Sequence, residues 1–394
     1  MYDVVISGAG PSGSRCAEII AEAGYKVALI EKDTNWRKPC GGAVSARIMS
    51  KYYPQLKKLN PHKFGGAILF SGDYHKIEYS WEKLFADTII VDRLEFDTFI
   101  RNIAIEKGAE LYDKNISFDF VVKDQKRIGI KTKTPSGIKE YLGKIIIIAD
   151  GMSSKLAVKS GLRERWKVEN LGLAKCAIME GENNLDKRRM YLFFREYKGY
   201  GWIFPIGENR YNIGCGTFAE DNLKYNLNQI FEDFLNDPHI KQFFPKSNYK
   251  KIWVGSYPLS AKGVLEKSLC GDNIMIIGDA AGFVSPISGE GIHPSIVSGQ
   301  IAAEAAIQAL QTDDISNRTL KYYKNHKYIK KMIRNFKLKR SMVEFFYEKQ
   351  GVNLDAMFQL AEKNVDFRNE VINMFFFNAA PSKDFFSKIK NLEG

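Results

Sequence analysis

Short, unbroken apolar runs and helix-spaced apolar positions alternate through the first part of this chain. Val4-Val5-Ile6 predicts a buried strand over 2–7. Gly8-Ala9-Gly10-Pro11-Ser12-Gly13 follows at once, then Cys16, Ile19, Ile20 and Ala23 at helical spacing, closed by Gly24. A second buried strand over 26–30 ends on Glu31. Strand, G-x-G-x-x-G turn, helix, strand and acid stand in the order a dinucleotide-binding unit needs. Gly8 permits the tight turn, Gly10 has no Cβ in the path of a pyrophosphate, and Gly13 lets the helix lie close on its strand. The helix N-terminus offers unpaired N–H groups and a positive dipole end to phosphates. Glu31, 18 residues after Gly13, is placed to accept from both ribose hydroxyls. A glycine turn alone is weak; with both strands, the helix and the acid it predicts adenine dinucleotide binding.

Lys38-Pro39-Cys40-Gly41-Gly42-Ala43 reads as an ordinary turn or as a loop that lets backbone approach a flat ligand, before a short helix over 45–52. Strands are predicted at 66–71, 76–80 and 88–91, and an amphipathic helix with Phe96, Phe99, Ile100, Ile103 and Ala104 on one face. A strand begins near Gly108, a meander passes Ile130 and Tyr141, and 144–149 is a fully apolar strand ending on Asp150-Gly151. That ending marks either a second ligand contact at the carboxyl edge of a sheet or the cap of the next helix. Tyr-, Phe- and Trp-rich strands at 171–179, 190–195, 200–205 and 211–216, with a helix over 222–235, predict an inserted antiparallel sheet. A third buried strand from Asn273 ends in Gly278-Asp279. Its glycine loop leads to a helix with Ile292, Ile296, Gly299, Ala303, Ala306 and Leu310 on its core face. The remainder, from about Asp313, is helical, basic and aromatic, with three consecutive phenylalanines within 373–378.

With 394 residues, 45% of them hydrophobic, the chain can bury a sizeable core over two or three domains. Its five cysteines (Cys16, Cys40, Cys176, Cys215, Cys270) are odd in number and include no C-x-x-C, which argues against a disulfide framework or structural zinc and fits a reducing cytosol. A strand starting at residue 2 leaves no room for a signal peptide, and the apolar runs are too short to span a bilayer. The expectation is a cytoplasmic protein, soluble or peripheral on the inner face of the cell membrane. The five histidines form no pattern, and no metal constellation is visible.

The net charge of +12 is uneven: 321–340 holds nine Lys or Arg and no acid, interleaved with Tyr322, Tyr323, Tyr328, Ile329, Met332, Ile333 and Phe336. This predicts a helix with two open readings, one that lies on an anionic membrane or meets an acidic partner, and one that is only a solvated face. Nucleic acid is not expected, because no binding module accompanies the charge.

Together, Gly8-x-Gly10-x-x-Gly13 with Glu31, Asp150-Gly151, and Gly278-Asp279 with its loop resemble the p-hydroxybenzoate-hydroxylase-like flavoproteins. Pro39-Cys40-Gly41-Gly42 and Tyr200-Gly201-Trp202-Ile203-Phe204-Pro205, followed by Gly214-Cys215-Gly216, resemble the geranylgeranyl reductase family within them. The resemblance implies FAD, met by Gly8, Gly10, Ser12, Gly13, Glu31, Lys32 and Ser117 on the adenosine side. Arg93, Asp150, Gly151 and Asp279 would meet its phosphates and ribityl chain. Cys40, Gly41, Gly42, Ala43, Gly289, Gly291 and Ile292 would lie around the isoalloxazine. It implies a tunnel for an isoprenoid chain shaped by Tyr200, Trp202, Phe204, Pro205, Gly214 and Gly216. The implied reaction is saturation of C=C bonds in a geranylgeranyl lipid or diphosphate by hydride from flavin N5, with electrons from ferredoxin or NAD(P)H. The flavin is the reactive group; Cys40 and His293 are candidate proton donors, though the role expected first for Cys40 is that of a small buried packing residue. Hydroxylases of the superfamily carry arginine where Ala157 stands. Two alternatives share the fold: an FAD monooxygenase or halogenase, and a prenyl-lipid binding protein without chemistry.

The expected fold class is mixed α/β: a Rossmann-type FAD-binding domain (1–65, 91–163, 261–312), an antiparallel-sheet substrate domain (66–90, 164–260) and a C-terminal helical basic segment (313–394).

Overall fold

Three sheets organise the chain. The computed structural model describes residues 1–394 except 82–87, 196, 223, 225, 246–248, 265–268, 377–378 and 392–394. The first sheet runs in the order Cys270–Gly271, Ile274–Ile276, Gly137–Ile148, Tyr2–Ser7, Val27–Ile30, Glu110–Tyr112. Tyr2–Ser7 lies at its centre and pairs in parallel with both neighbours, Ser7 standing opposite Ile30 on one side and Ile148 on the other. Ile148 in turn stands opposite Ile276. Four strands that lead into glycine or acid therefore finish at one edge, as parallel pairing of apolar strand ends requires. Helices Pro11–Glu22 and Ile292–Gln311 pack against the sheet with Val5, Ile20, Ile146, Ala302 and Ala306 in one core.

The strands read separately near Tyr141 and at 144–149 are one strand, Gly137–Ile148. Its first four residues are exposed, 141–144 alternate buried and exposed, and residues 137–142 pair with Lys126–Thr134 in the meander; its last four residues are all buried in the parallel sheet. The sequence changes rhythm where the strand changes sheet.

The second sheet, in the order Tyr249–Ser260, Leu171–Gly181, Arg210–Phe218, Gly199–Pro205, Arg189–Phe194, Gly66–Phe70, Lys76–Ser80, is antiparallel except where Arg189–Phe194 meets Gly66–Phe70. Its edge strand Tyr249–Ser260 escaped the sequence reading because Gly255 and Pro258 punctuate it; an edge tolerates proline. The helix expected at 222–235 is two helices, Ala219–Asn222 and Leu227–Asn236. Asn226 caps the second by accepting from the N–H groups of Asn228 and Gln229, and residues 223 and 225 lie outside the described ones. A third sheet pairs Ala43–Ser45, Thr88–Ile90 and His62–Phe64, so strands from both sides of the boundaries drawn at 65 and 90 meet in it.

The basic stretch at 321–340 is not one helix. It breaks at His326 between Asn317–Asn325 and Lys327–Phe346. Most of its apolar residues are committed: Tyr323, Ile329 and Phe336 join the parallel-sheet core, while Tyr322 and Tyr328 stay exposed; beyond the stretch, Met342, Phe346, Met357 and Phe358 pack on the antiparallel sheet. Lys321, Lys327, Lys330, Lys331, Arg334 and Lys337 remain exposed, while Lys339 is buried. Of the phenylalanine run, Phe375 and Phe376 end the helix Val365–Phe376, and residues 377 and 378 lie outside the described ones.

The closest helix packing is at Gly299, where an added Cβ would strike the backbone carbonyl of Ser12. Gly299→Ala is expected to cost about 1–3 kcal/mol in urea unfolding; an unchanged midpoint would mean that the two helices have room to part.

Candidate cofactor and substrate cavity

The edge of the parallel sheet opens into a cavity of about 560 Å³ that continues beneath the antiparallel sheet. Gly8 sits there with φ +102°, and a Cβ on it would meet the carbonyl of Ala149 on the neighbouring strand. Gly10 has open space where its Cβ would be. Gly13 is off the cavity wall; its missing side chain brings the helix onto the Gly8 carbonyl. Glu31 is aimed by three backbone donors: Ala9 N–H at 2.7 Å on Oε2, and Lys32 and Asp33 N–H at 2.9 and 3.2 Å on Oε1. A carboxylate has about four acceptor positions, so one stays open toward the cavity.

Asp150 does not cap the next helix. Ser154 does so, accepting from the Ala157 N–H at 2.9 Å. Asp150 instead lies in the cavity wall with Oδ1 unpartnered, and burial pushes its carboxyl up to about 6. Ser117 Oγ, on the same wall, is also buried without a partner. Asp279 begins the turn after the third strand and pairs with Lys38, which also lies over the Tyr257 ring at 5.0 Å. Burial opposes the Lys38 charge, but Asp279 outweighs it and holds the ammonium above its ordinary pKa. Arg93 forks onto Asp97 at 3.0 and 2.7 Å on its own helix. Burial works against the Arg93 charge as well, and Asp97 together with the nearby Cys40 sulfur more than offsets it. At the opposite wall the N-terminus of Ile292–Gln311 faces the cavity through Gly291.

Every residue expected around the cofactor lines this one cavity except Gly13: Gly8, Gly10, Ser12, Glu31, Lys32, Cys40, Gly41, Gly42, Ala43, Arg93, Ser117, Asp150, Gly151, Asp279, Gly289, Gly291 and Ile292. Among the residues expected at the tunnel, Tyr200, Trp202, Phe204 and Gly216 reach it, and Pro205 and Gly214 do not. Gly214 lies under the Trp202 indole, where a Cβ would collide with the ring. His293 lines the cavity beside the Tyr52 ring, and burial lowers its pKa. All five cysteines are free thiols. Sequence reasoning missed Lys38 as the partner of Asp279, since nothing local links positions 241 apart. It also missed the far apolar wall, made by Phe194, Val343, Phe346, Leu354, Phe375 and Phe376. The aromatic density of the C-terminal part was visible, but not where it folds.

The residues present fit a flavin dinucleotide: a glycine cradle at a helix N-terminus, an aimed acid, two orphaned buried oxygens and a cavity of ordinary ligand size. No family model matches the chain. A geranylgeranyl bacteriochlorophyll reductase-like protein of Thermoplasma acidophilum superposes with a TM-score of 0.85 at 24% identity, covering 100% of this chain and 98% of that one. A flavin-dependent brominase superposes with a TM-score of 0.77 at 21% identity, covering 100% and 98%. Fold and cradle thus define the class of FAD-dependent oxidoreductases. A digeranylgeranylglycerophospholipid reductase of Methanocaldococcus jannaschii is 30% identical over 383 residues, 91% of this chain and 92% of that protein. The chain belongs to the digeranylgeranylglycerophospholipid reductase family.

A carboxyl raised from 3.8 to about 6 on folding makes the cofactor-free protein lose stability as pH climbs through that window, and the loss is complete above it. Asp150→Asn is therefore expected to raise the thermal midpoint of the apoprotein at pH 7 and leave it unchanged near pH 3. An equal gain at both would show that the carboxyl titrates normally.

Proposed function

We propose that the chain binds FAD in this cavity and saturates C=C bonds in the geranylgeranyl chains of a membrane lipid. The observation that carries the reading is continuity: the dinucleotide cradle and an aromatic, aliphatic tunnel are two ends of one cavity. A reduced FAD supplies hydride from N5. The chain's own residues do the rest. Phe194, Trp202, Phe204, Phe346 and Phe375 exclude water and hold a flexible hydrocarbon, which an unactivated alkene needs because it is a poor hydride acceptor. Tyr200 donates from its hydroxyl to the Ser288 carbonyl at 2.5 Å, tying the tunnel sheet to the Gly289–Gly291 loop. The helix N-terminus at Ile292 directs its positive end toward that loop, where negative charge develops on a reduced flavin. For the second hydrogen, burial holds the Tyr200 proton on its hydroxyl and disfavours the His293 imidazolium; Cys40 and His293, both on the cavity wall, stand as the candidate donors.

Anaerobic photoreduction of the FAD-loaded protein, then addition of a geranylgeranyl phospholipid, is expected to reoxidise the flavin as the lipid gains two hydrogens per turnover by mass spectrometry. A flavin that stays reduced until oxygen enters would favour an oxygenase. The brominase similarity concerns the fold alone.

The lipid substrate places the enzyme at a membrane, and the exposed cations of Asn317–Asn325 and Lys327–Phe346 form the surface proposed to meet it. With Tyr323, Ile329 and Phe336 committed to the core and Tyr322 and Tyr328 exposed beside the cations, the contact is chiefly electrostatic. Flotation with anionic vesicles is expected at low salt and lost at high salt. Equal flotation with neutral vesicles would remove the electrostatic account.

A further inference from the structure

The segment Pro39–Gly42 has no regular structure, yet it is held from three sides. Pro39 lies where a side chain on Gly255 would fall, its Cγ 2.8 Å from that Cβ position. Gly41 is wedged against the signature strand: a Cβ there would stand 2.8 Å from the Phe204 ring and 3.3 Å from Trp202 Nε1. Gly42 has φ +77° and donates its N–H to Cys40 Sγ at 3.3 Å. The Gly42 carbonyl accepts from the Val91 N–H at 3.0 Å, and the Cys40 carbonyl is held by a buried amide. Asn212, buried on Arg210–Phe218, donates from Nδ2 to the Cys40 carbonyl at 2.9 Å and accepts from the Trp202 indole N–H at 2.9 Å on Oδ1.

The amide's orientation is fixed by its two partners. An indole N–H only donates and a carbonyl only accepts, so Oδ1 faces Trp202 and Nδ2 faces Cys40. Gly214 is part of the same device, since its missing side chain gives the Trp202 ring its place. The Cys176 thiol, 3.9 Å away, also points at the Cys40 carbonyl. In a trans peptide the C=O and the following N–H point in opposite directions. With the Cys40 carbonyl turned into the antiparallel sheet, the Gly41 N–H is turned away from it, on a residue that lines the cavity. It has no acceptor among the described residues.

We infer that Asn212 is a positioning residue: through its hydrogen bond to the Cys40 carbonyl it aims the Gly41 N–H into the cavity as a donor to the acceptor edge of the bound flavin. The inference rests on the FAD reading. It assigns part of the Trp202…Gly214 signature to the cofactor side, because that hairpin seats the loop as well as lining the tunnel.

Asn212→Asp tests this with little change in shape. A carboxylate still accepts from Trp202 but repels the Cys40 carbonyl, so the 40–41 peptide loses its fixed orientation. In FAD-loaded holoenzyme the variant is expected to change the ratio of affinities for oxidised and reduced flavin at least tenfold. That corresponds to a midpoint potential moved by about 30 mV for the two-electron couple, with an altered visible spectrum. A residue that only stabilises the fold would lower the thermal midpoint and leave potential and spectrum as in wild type, which would overturn the proposal. Asn212→Ser, smaller and uncharged, removes the same donor and decides the matter if the aspartate variant does not fold. Wild-type protein that takes up no FAD would instead bring down the underlying reading, and that result is seen before any variant is made.

Discussion

Parallel pairing of the first strand with two neighbours, the next strand and one far away in sequence, is the constraint on which the rest depends. Tyr2–Ser7 alone ends in a glycine turn and nothing more. Once Ser7 stands level with Ile30, and Ile148 with Ile276, the residues that follow each strand arrive at one edge: Gly8, Glu31, Asp150 and Asp279. The register also decides their chemistry. Asp150 has one buried oxygen without a partner and stays neutral more readily than an ordinary carboxyl, while Asp279, after the neighbouring strand on the same edge, is matched by Lys38. Two acids with similar local sequence thus have opposite electrostatic surroundings.

The antiparallel sheet is the second wall, and both of its faces are occupied. Leu227–Asn236 covers one with Ile230, Phe231 and Phe234. The other meets the C-terminal helices through Phe194, Phe346, Leu354, Phe358 and Phe375, with the tunnel left between them. Aromatic rings suit such a wall because they supply large apolar surface with few rotatable bonds.

Most of the cofactor half was legible in the sequence, because the relevant signals are local. A buried strand followed by glycine and acid can be recognised within ten residues, and each of the three instances reaches the cavity. What was hidden is non-local or changes rhythm. Gly137–Ile148 reads as two strands because its burial pattern switches midway. The pairing of Lys38 with Asp279 and of Asn212 with Cys40 has no local signature. The basic stretch at 321–340 was legible as composition but not as shape. Its break at His326 follows from a single extended residue, and its apolar positions serve the core rather than a membrane. Gly214, expected at the tunnel, does not reach it; its missing side chain makes room for an indole ring on the strand beside it.

The far wall of the tunnel has a consequence for the order in which the molecule is made. The cradle's first strand is made before its sheet is complete: the outer parallel strand, Ile274–Ile276, follows only after the whole antiparallel sheet, and Val343 to Phe376 follow later still. For most of synthesis the apolar inner face of that sheet lacks its cover, and it is closed only when the last helices dock. The segment that composition marks as basic and aromatic is therefore what ends the nascent chain's exposure of aromatic surface.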